Sequence, residues 1–198
     1  MTEVDFTPES EPAVAARIFG AGIDQARAYA AALARDGETF GLLGPREYPK
    51  LWTRHILNSA VVAELVSPGQ TVGDVGSGAG LPGIPMAIAQ PEAEFVLIEP
   101  MERRSDWLKQ QVEALGLKNV RVLRARAEEV GEVPERDGRR GARQFEGAAV
   151  DHDRTGEGIG RGAERDVART ALDDRKDPGA VVLDQRVDRE RGRGPVDE

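Results

Sequence analysis

Residues 72–85 read VGDVGSGAGLPGIP, and the fold turns on how that run is punctuated. Val72 to Val75 has the short apolar character of a strand. Glycines at 76, 78, 80 and 83 then allow a tight turn with unhindered backbone N–H groups. GIPMAIAQ continues as a helix, so the turn sits at a helix N-terminus, a position that suits nucleotide-type ligands. A strand, a glycine turn and a helix make the first part of a βαβ unit.

The segments downstream repeat the alternation. EFVLIEP (94–100) reads as a second strand, ERRSDWLKQQVEALG (102–116) as a helix and NVRVLRA (119–125) as a third strand. Short apolar strands separated by helices of this length predict a parallel sheet with right-handed crossovers. Upstream, residues 12–35 carry Phe19, Ile23, Ala26, Tyr29, Ala30 and Leu33 at three- and four-residue intervals, which predicts an amphipathic helix broken near Gly20 to Gly22. DGETFGLLGPREYPK (36–50) reads as loop, and LWTRHILNSAVVAELV (51–66) as one helix stopped by Ser-Pro-Gly. The expected fold class is α/β and Rossmann-like, with N-terminal helices in front.

Two ligand classes could use the turn. The dinucleotide fingerprint G-x-G-x-x-G would put its third glycine at position 81, where this chain has Leu81. The pattern here is D-x-G-x-G-x-G, with Asp74 two residues before Gly76. In an S-adenosylmethionine site such an acid attracts the cationic amino-acid end of the ligand, and no pyrophosphate has to be held. Glu99 ends the second strand about twenty residues on, where a carboxylate can accept both ribose hydroxyls. The third strand leads into Ala127 and Glu128, which could meet the adenine through a backbone N–H and a carboxylate. Blander readings stand beside these: a plain turn, a solvated acid at Glu99, and a helix-start pair at Glu128 and Glu129. His55 reads equally as a satisfied helix histidine or an RNA contact, while Trp52 and Trp107 read as packing residues.

The quoted segments GLLGPRE, LWTRHILNS, DVGSGAGLPGIP, FVLIEPMERRSDWL, LGLKNVRVL and RAEE resemble the small-subunit ribosomal RNA guanine-N7 methyltransferases, also called the glucose-inhibited division protein B family. The resemblance spans roughly residues 12–130. It implies a class I S-adenosylmethionine-dependent methyltransferase fold, S-adenosylmethionine as donor, and a guanine in the decoding-region loop of 16S ribosomal RNA as acceptor. Carried over residue by residue, it implies cofactor contacts at Gly76, Gly78, Leu81, Ala127 and Glu128, with Glu99 at the ribose position. No catalytic residue is assigned, because guanine N7 is an unprotonated nucleophile at neutral pH and needs no general base. No metal site is expected.

Composition bounds the rest. The chain of 198 residues has no cysteine, which excludes disulfides and thiolate metal sites, and its formal charge of −8 argues against a protein that coats nucleic acid. Seven basic residues (Arg103, Arg104, Lys109, Lys118, Arg121, Arg124, Arg126) still crowd one stretch, as an RNA-facing patch or a solvated helix face. The acidic N-terminus and the lack of an apolar run near ~20 residues lead to the expectation of a cytoplasmic protein with no membrane association. The expected partner is 16S ribosomal RNA or the small ribosomal subunit, with no DNA.

Beyond about residue 130 the chain changes character. Leu, Ile, Val and Phe fall to roughly one residue in six, and thirteen arginines face a single lysine. The expected organisation is therefore a helical region over 1–67, the first half of a methyltransferase domain over 68–130, and an Arg/Gly/Asp-rich tail over 131–198. The tail reads as a non-native frame of a GC-rich gene, or else as a disordered RNA-binding extension. The sheet is expected to stop after the third strand, leaving the first strand an open edge, with GAVVLDQRV (179–187) a possible strand that has no obvious partner. The functional alternatives to the enzyme are an inactive remnant and an RNA- or ribosome-binding fragment.

Overall fold

The computed structural model describes residues 6–130 and the backbone of residues 181–184. Its centre is a parallel sheet in the order β3-β2-β1-β4, with β1 Thr71–Val75, β2 Glu94–Ile98, β3 Val120–Leu123 and β4 Val181–Asp184. The connections are α4 (Gly83–Ala89) from β1 to β2 and α5 (Glu102–Ala114) from β2 to β3. This is the Rossmann-like α/β arrangement read from the sequence, and the βαβ segments fall where the alternation placed them. Among the described residues no helix is long and apolar enough to cross a membrane.

The fourth strand corrects one expectation. Val72 to Val75 pair in parallel with Val181 to Asp184, so β1 lies between β2 and β4 and is not an edge. Local pattern marks a run such as VVLD as a strand but carries no signal for a partner more than a hundred positions away. The other expectations for the tail lie outside the described residues.

The N-terminal helices also depart from the sequence reading. Helix α1 (Ala15–Phe19) passes through one tight 3-10 turn at Gly20–Gly22 into α2 (Ile23–Phe40), so the expected break is a kink. Helix α2 then runs five residues past the expected end, straight through Gly37. That glycine is buried, and a Cβ there would stand 3.2 Å from Leu43 Cβ and 3.3 Å from the Tyr48 hydroxyl, so its bareness lets the following loop fold back onto the helix. The stop comes at Gly41, whose φ of +64° fits a left-handed cap; Leu42 N–H donates to Gly37 O and Gly41 N–H to Glu38 O. Residues 51–66 are not one regular helix. They wind as a π-helix over Leu51–Leu57, an α-turn α3 over Asn58–Val61 and a 3-10 turn over Val62–Leu65. Glu9 caps the π segment, accepting the Trp52 and Thr53 N–H groups at 2.9 Å each.

Alternation along the strands sorts the core into two faces. Val72, Phe95 and Leu97 join a large cluster with α2, α4, α5 and the helices of residues 15–66, whereas Val75, Val96 and Ile98 face Ala127 of the short helix α6 (Ala127–Val130). Trp107, Tyr29, Phe95 and Leu33 are fully buried in the first cluster, with Tyr29 and Trp107 rings 6.5 Å apart. Helices α4 and α5 cover the sheet face that carries the main core, and the N-terminal helices roof those two in turn.

Candidate cofactor site

Past Val75 the chain leaves β1 through Gly76, Gly78 and Gly80, with φ of +79°, +54° and +83°. L side chains avoid this region, so the turn can be built only with glycine or at a cost in strain. The glycines divide by what surrounds them. A Cβ on Gly76 would meet nothing within 4 Å, and one on Gly78 only the Gly76 carbonyl at 3.6 Å. One on Gly80 would press on Ile84 and Leu108, and one on Gly83 on Leu97 and on the Asp74 carboxylate. The turn is therefore open over Gly76 and Gly78 and closed by packing at its far end, where Leu81 is half-buried against the core and joined to Pro82 by a cis peptide bond.

Glu99 is carried to the same place by β2. Only 2% exposed, it accepts the Gly78 N–H and the Met101 N–H, each at 2.9 Å, one on each carboxylate oxygen. The sequence pairing of the glycine turn with the acid at the end of the second strand is thus a direct hydrogen bond. Each carboxylate oxygen retains a further acceptor site.

Asp74 is fully buried beneath the turn. Its Oδ2 accepts the Gly83 N–H at 3.1 Å, and among the described residues its Oδ1 is a buried acceptor without a donor. Burial pushes its carboxyl up to about 7; the Gly83 N–H works against that shift and the charge of Glu99 adds to it. The same burial, with the Asp74 charge second, raises the Tyr29 hydroxyl well above its usual value.

Two residues that the sequence reading passed over hold the turn. The Ser77 hydroxyl donates to the Asp74 main-chain carbonyl at 2.8 Å and accepts the Ile98 N–H at 3.0 Å, tying the ends of β1 and β2 together. The Tyr29 hydroxyl of α2 donates to the Ala79 carbonyl at 2.8 Å and pins the turn's apex to the helical roof. A serine between two glycines was a visible signal for the first. Nothing in local spacing ties residue 29 to residue 79.

The third strand end is less direct. Ala127 is buried beside Val75 and Ile98, beneath the ends of β1 and β2, while Glu128 is exposed and 3.9 Å from Arg126. Glu129 accepts the Arg126 N–H at 2.8 Å, the helix-start role weighed for this pair. His55 is a satisfied histidine: its Nε2 lies 2.8 Å from Glu47, and burial holds its pKa below the usual value against the opposing pull of that carboxylate. Trp52 and Trp107 are buried packing residues, and the Trp107 indole N–H also donates to Asp36 at 3.0 Å.

The hydrogen bonding determines what kind of ligand the turn suits. Gly76 and Ser77 N–H both donate to the Ile98 carbonyl, Gly78 to Glu99, Gly80 to Ser77 O and Gly83 to Asp74. The sequence reading took these amides as free donors at a helix N-terminus; five of them are engaged inside the protein. A phosphate-binding loop needs them free. What the site offers is an acceptor, the remaining lone pairs of Glu99; the orphaned Asp74 oxygen is sealed beneath the turn. Such a cradle suits a cationic or hydroxyl-bearing ligand.

Comparison with known proteins gives the family. The family model described as rRNA small subunit methyltransferase G (GidB) matches residues 22–140. The ribosomal RNA small subunit methyltransferase G of Leifsonia xyli subsp. xyli is 61% identical over 121 residues, 61% of this chain and 57% of that protein. That of Clavibacter michiganensis subsp. michiganensis is 59% identical over 124 residues, 63% of this chain and 58% of the relative. The chain spans little more than half the length of these curated relatives. Among solved structures, a SAM dependent methyltransferase from Aquifex aeolicus aligns at 28% identity with a TM-score of 0.35, over 43% of this chain and 45% of that one. The family match covers all of α2, the glycine turn, Glu99 and all three contiguous strands, and by it the chain belongs to the GidB family of rRNA small subunit methyltransferases.

Proposed function

We propose that the chain binds S-adenosylmethionine across the strand ends carrying Gly76, Gly78, Leu81, Glu99, Ala127 and Glu128, and that it methylates N7 of a guanine in the decoding-region loop of 16S ribosomal RNA in the cytoplasm. The observation that carries the reading is that the turn's amides are spent internally while the Glu99 carboxylate, beside the open backbone of Gly76 and Gly78, keeps acceptor capacity. A dinucleotide pyrophosphate is poorly served there. A ligand with a sulfonium, an ammonium and a ribose diol is well served.

The residues fit that ligand in two further respects. Gly76 leaves open space where any side chain would stand, and the Glu99 carboxylate is fixed by two N–H groups with acceptor capacity remaining. Bound S-adenosylmethionine supplies a methyl group on an electrophilic sulfonium centre. The work of this chain's residues is then to hold and orient: Glu99 the ribose, and the Tyr29-pinned turn the boundary that excludes water, while Asp74, sealed beneath the turn, fixes its far end through the Gly83 N–H and does not meet the cationic end expected of it from the sequence. No proton needs to move, because N7 offers a lone pair. His55, held by Glu47, is given no part in the chemistry.

Calorimetric titration of the purified chain with S-adenosylmethionine tests the reading, with saturable binding expected and its absence at millimolar ligand sinking it. Transfer of labelled methyl groups to small ribosomal subunits then separates an enzyme from a chain that binds its cofactor and does not turn over.

A further inference from the structure

Three of the seven basic residues between 103 and 126 face carboxylates. Lys109 pairs with Asp106 at 3.3 Å, Arg124 with Glu102 at 3.0 Å and Arg126 with Glu128 at 3.9 Å. Arg103 and Arg104 differ. Among the described residues neither has a carboxylate partner, and both converge on the end of α2. The Arg103 guanidinium lies 5.7 Å from the Phe40 ring centroid, the Arg104 Nη2 donates to the Gly41 carbonyl at 2.6 Å, and a Cβ on Gly41 would be 3.8 Å from an Nη2 of each.

This arrangement works against the stability of α5. Both arginines occupy its first turn, where the helix dipole disfavours cations, and they repel each other across Gly41. Stacking on an aromatic face fixes one guanidinium and a main-chain acceptor fixes the other, which lowers the entropy lost when they grip a third group. The place also matters. Helix α5 starts three residues after Glu99, so the pair sits on the first turn of the helix that leaves the strand end carrying the proposed ribose contact.

We infer that Arg103 and Arg104, set by Phe40 and Gly41, form an anchor for phosphodiesters of the RNA strand that presents the target base beside the glycine turn. The inference rests on the proposed function, since it names the surface by which that substrate would be held. Planar guanidinium groups match phosphate oxygens in bidentate fashion, and two of them side by side suit neighbouring phosphates of one strand.

The test is fluorescence anisotropy of a short single-stranded small-subunit rRNA fragment against the full chain over a salt series. It compares wild type with Arg103→Gln, Arg103→Lys and, as a distant control, Arg17→Gln. Arg103→Gln is expected to weaken RNA binding about tenfold and to flatten the log–log salt dependence by about 0.7, the share of one phosphate contact on a single strand. Arg103→Lys keeps the slope, Arg17→Gln matches wild type, S-adenosylmethionine affinity stays unchanged throughout, and the thermal midpoint of Arg103→Gln does not fall, since the substitution removes a cation that the start of α5 disfavours. Equal affinity and slope for wild type and Arg103→Gln overturn the anchor alone. Wild type that fails to bind RNA at low salt while binding S-adenosylmethionine overturns the RNA-substrate reading. Release of RNA by inorganic phosphate beyond that by chloride of equal ionic strength marks a generic anion site and overturns the assignment to a strand.

Discussion

Replacing Asp74 with asparagine isolates the energetic consequence of the buried acid beneath the glycine turn. The folded carboxyl titrates at about 7 against an ordinary value of 3.8, because burial disfavours its charge. Between those values the folded chain holds a proton that the unfolded chain has released, so stability falls as pH rises through the window and is level above it. A difference of about three units at 1.36 kcal/mol each comes to roughly 4 kcal/mol, spread between about pH 4 and pH 7. Asparagine has a similar shape and an oxygen that can still accept the Gly83 N–H, and it has no charge to lose. The thermal midpoint of Asp74→Asn minus that of the parent should therefore climb, by on the order of 10 °C, between about pH 4 and about pH 8. Circular dichroism melts over a pH series measure it. Because the other titrating groups are common to both chains, their effects cancel in the difference. A flat difference, or one that grows toward acid, would show that the ionised carboxylate is compensated in the folded state and would refute the burial argument.

Other substitutions test the parts around it. Glu99→Gln removes the charge and one of two acceptors now holding Gly78 and Met101, and should weaken S-adenosylmethionine binding ten- to a hundredfold in calorimetry while leaving the fold intact. Tyr29→Phe orphans the Ala79 carbonyl and should cost about 1–3 kcal/mol in denaturant melts, with faster amide exchange in the turn. Gly83→Ala puts a methyl against Leu97 and 2.7 Å from the Asp74 Oδ2 and should lose about 1–3 kcal/mol, whereas a substitution that did not destabilise would mean that the helix start can shift aside.

The parts of the molecule written in local pattern were legible in the sequence. Residues 71–123 alternate between strand and helix at their own periods, and the structure puts every one of those elements in its expected place. The glycines and two acids marked the turn for the same reason, since each has a backbone or charge role that few other residues can fill. What could not be read depends on distance along the chain. Gly37 looked like a helix terminator until the packing of Leu43 and Tyr48 gave a buried glycine a use. Strand β4 was a run of apolar letters until β1 supplied its partner. The turn's amides looked free because their acceptors, the carbonyl of Ile98 and the carboxylates of Glu99 and Asp74, are named only once the fold brings them together.

The one-sided roof bears on how the chain could be shortened. Helix α2 is joined to the rest by Tyr29 to Ala79, Gln25 to the Leu115 carbonyl, and Asp36 to Trp107, and its apolar side packs against α4 and α5. A fragment starting at Thr71 would keep almost every residue of the proposed site, and α4 and α5 on the sheet, but would leave the outer sides of those two helices wet. Economy of sequence and economy of stability thus part company here: the smallest piece that spells the site is smaller than the smallest piece that can hold it. An ancestor or an engineer trimming toward the chemistry would meet solubility as the limit before affinity.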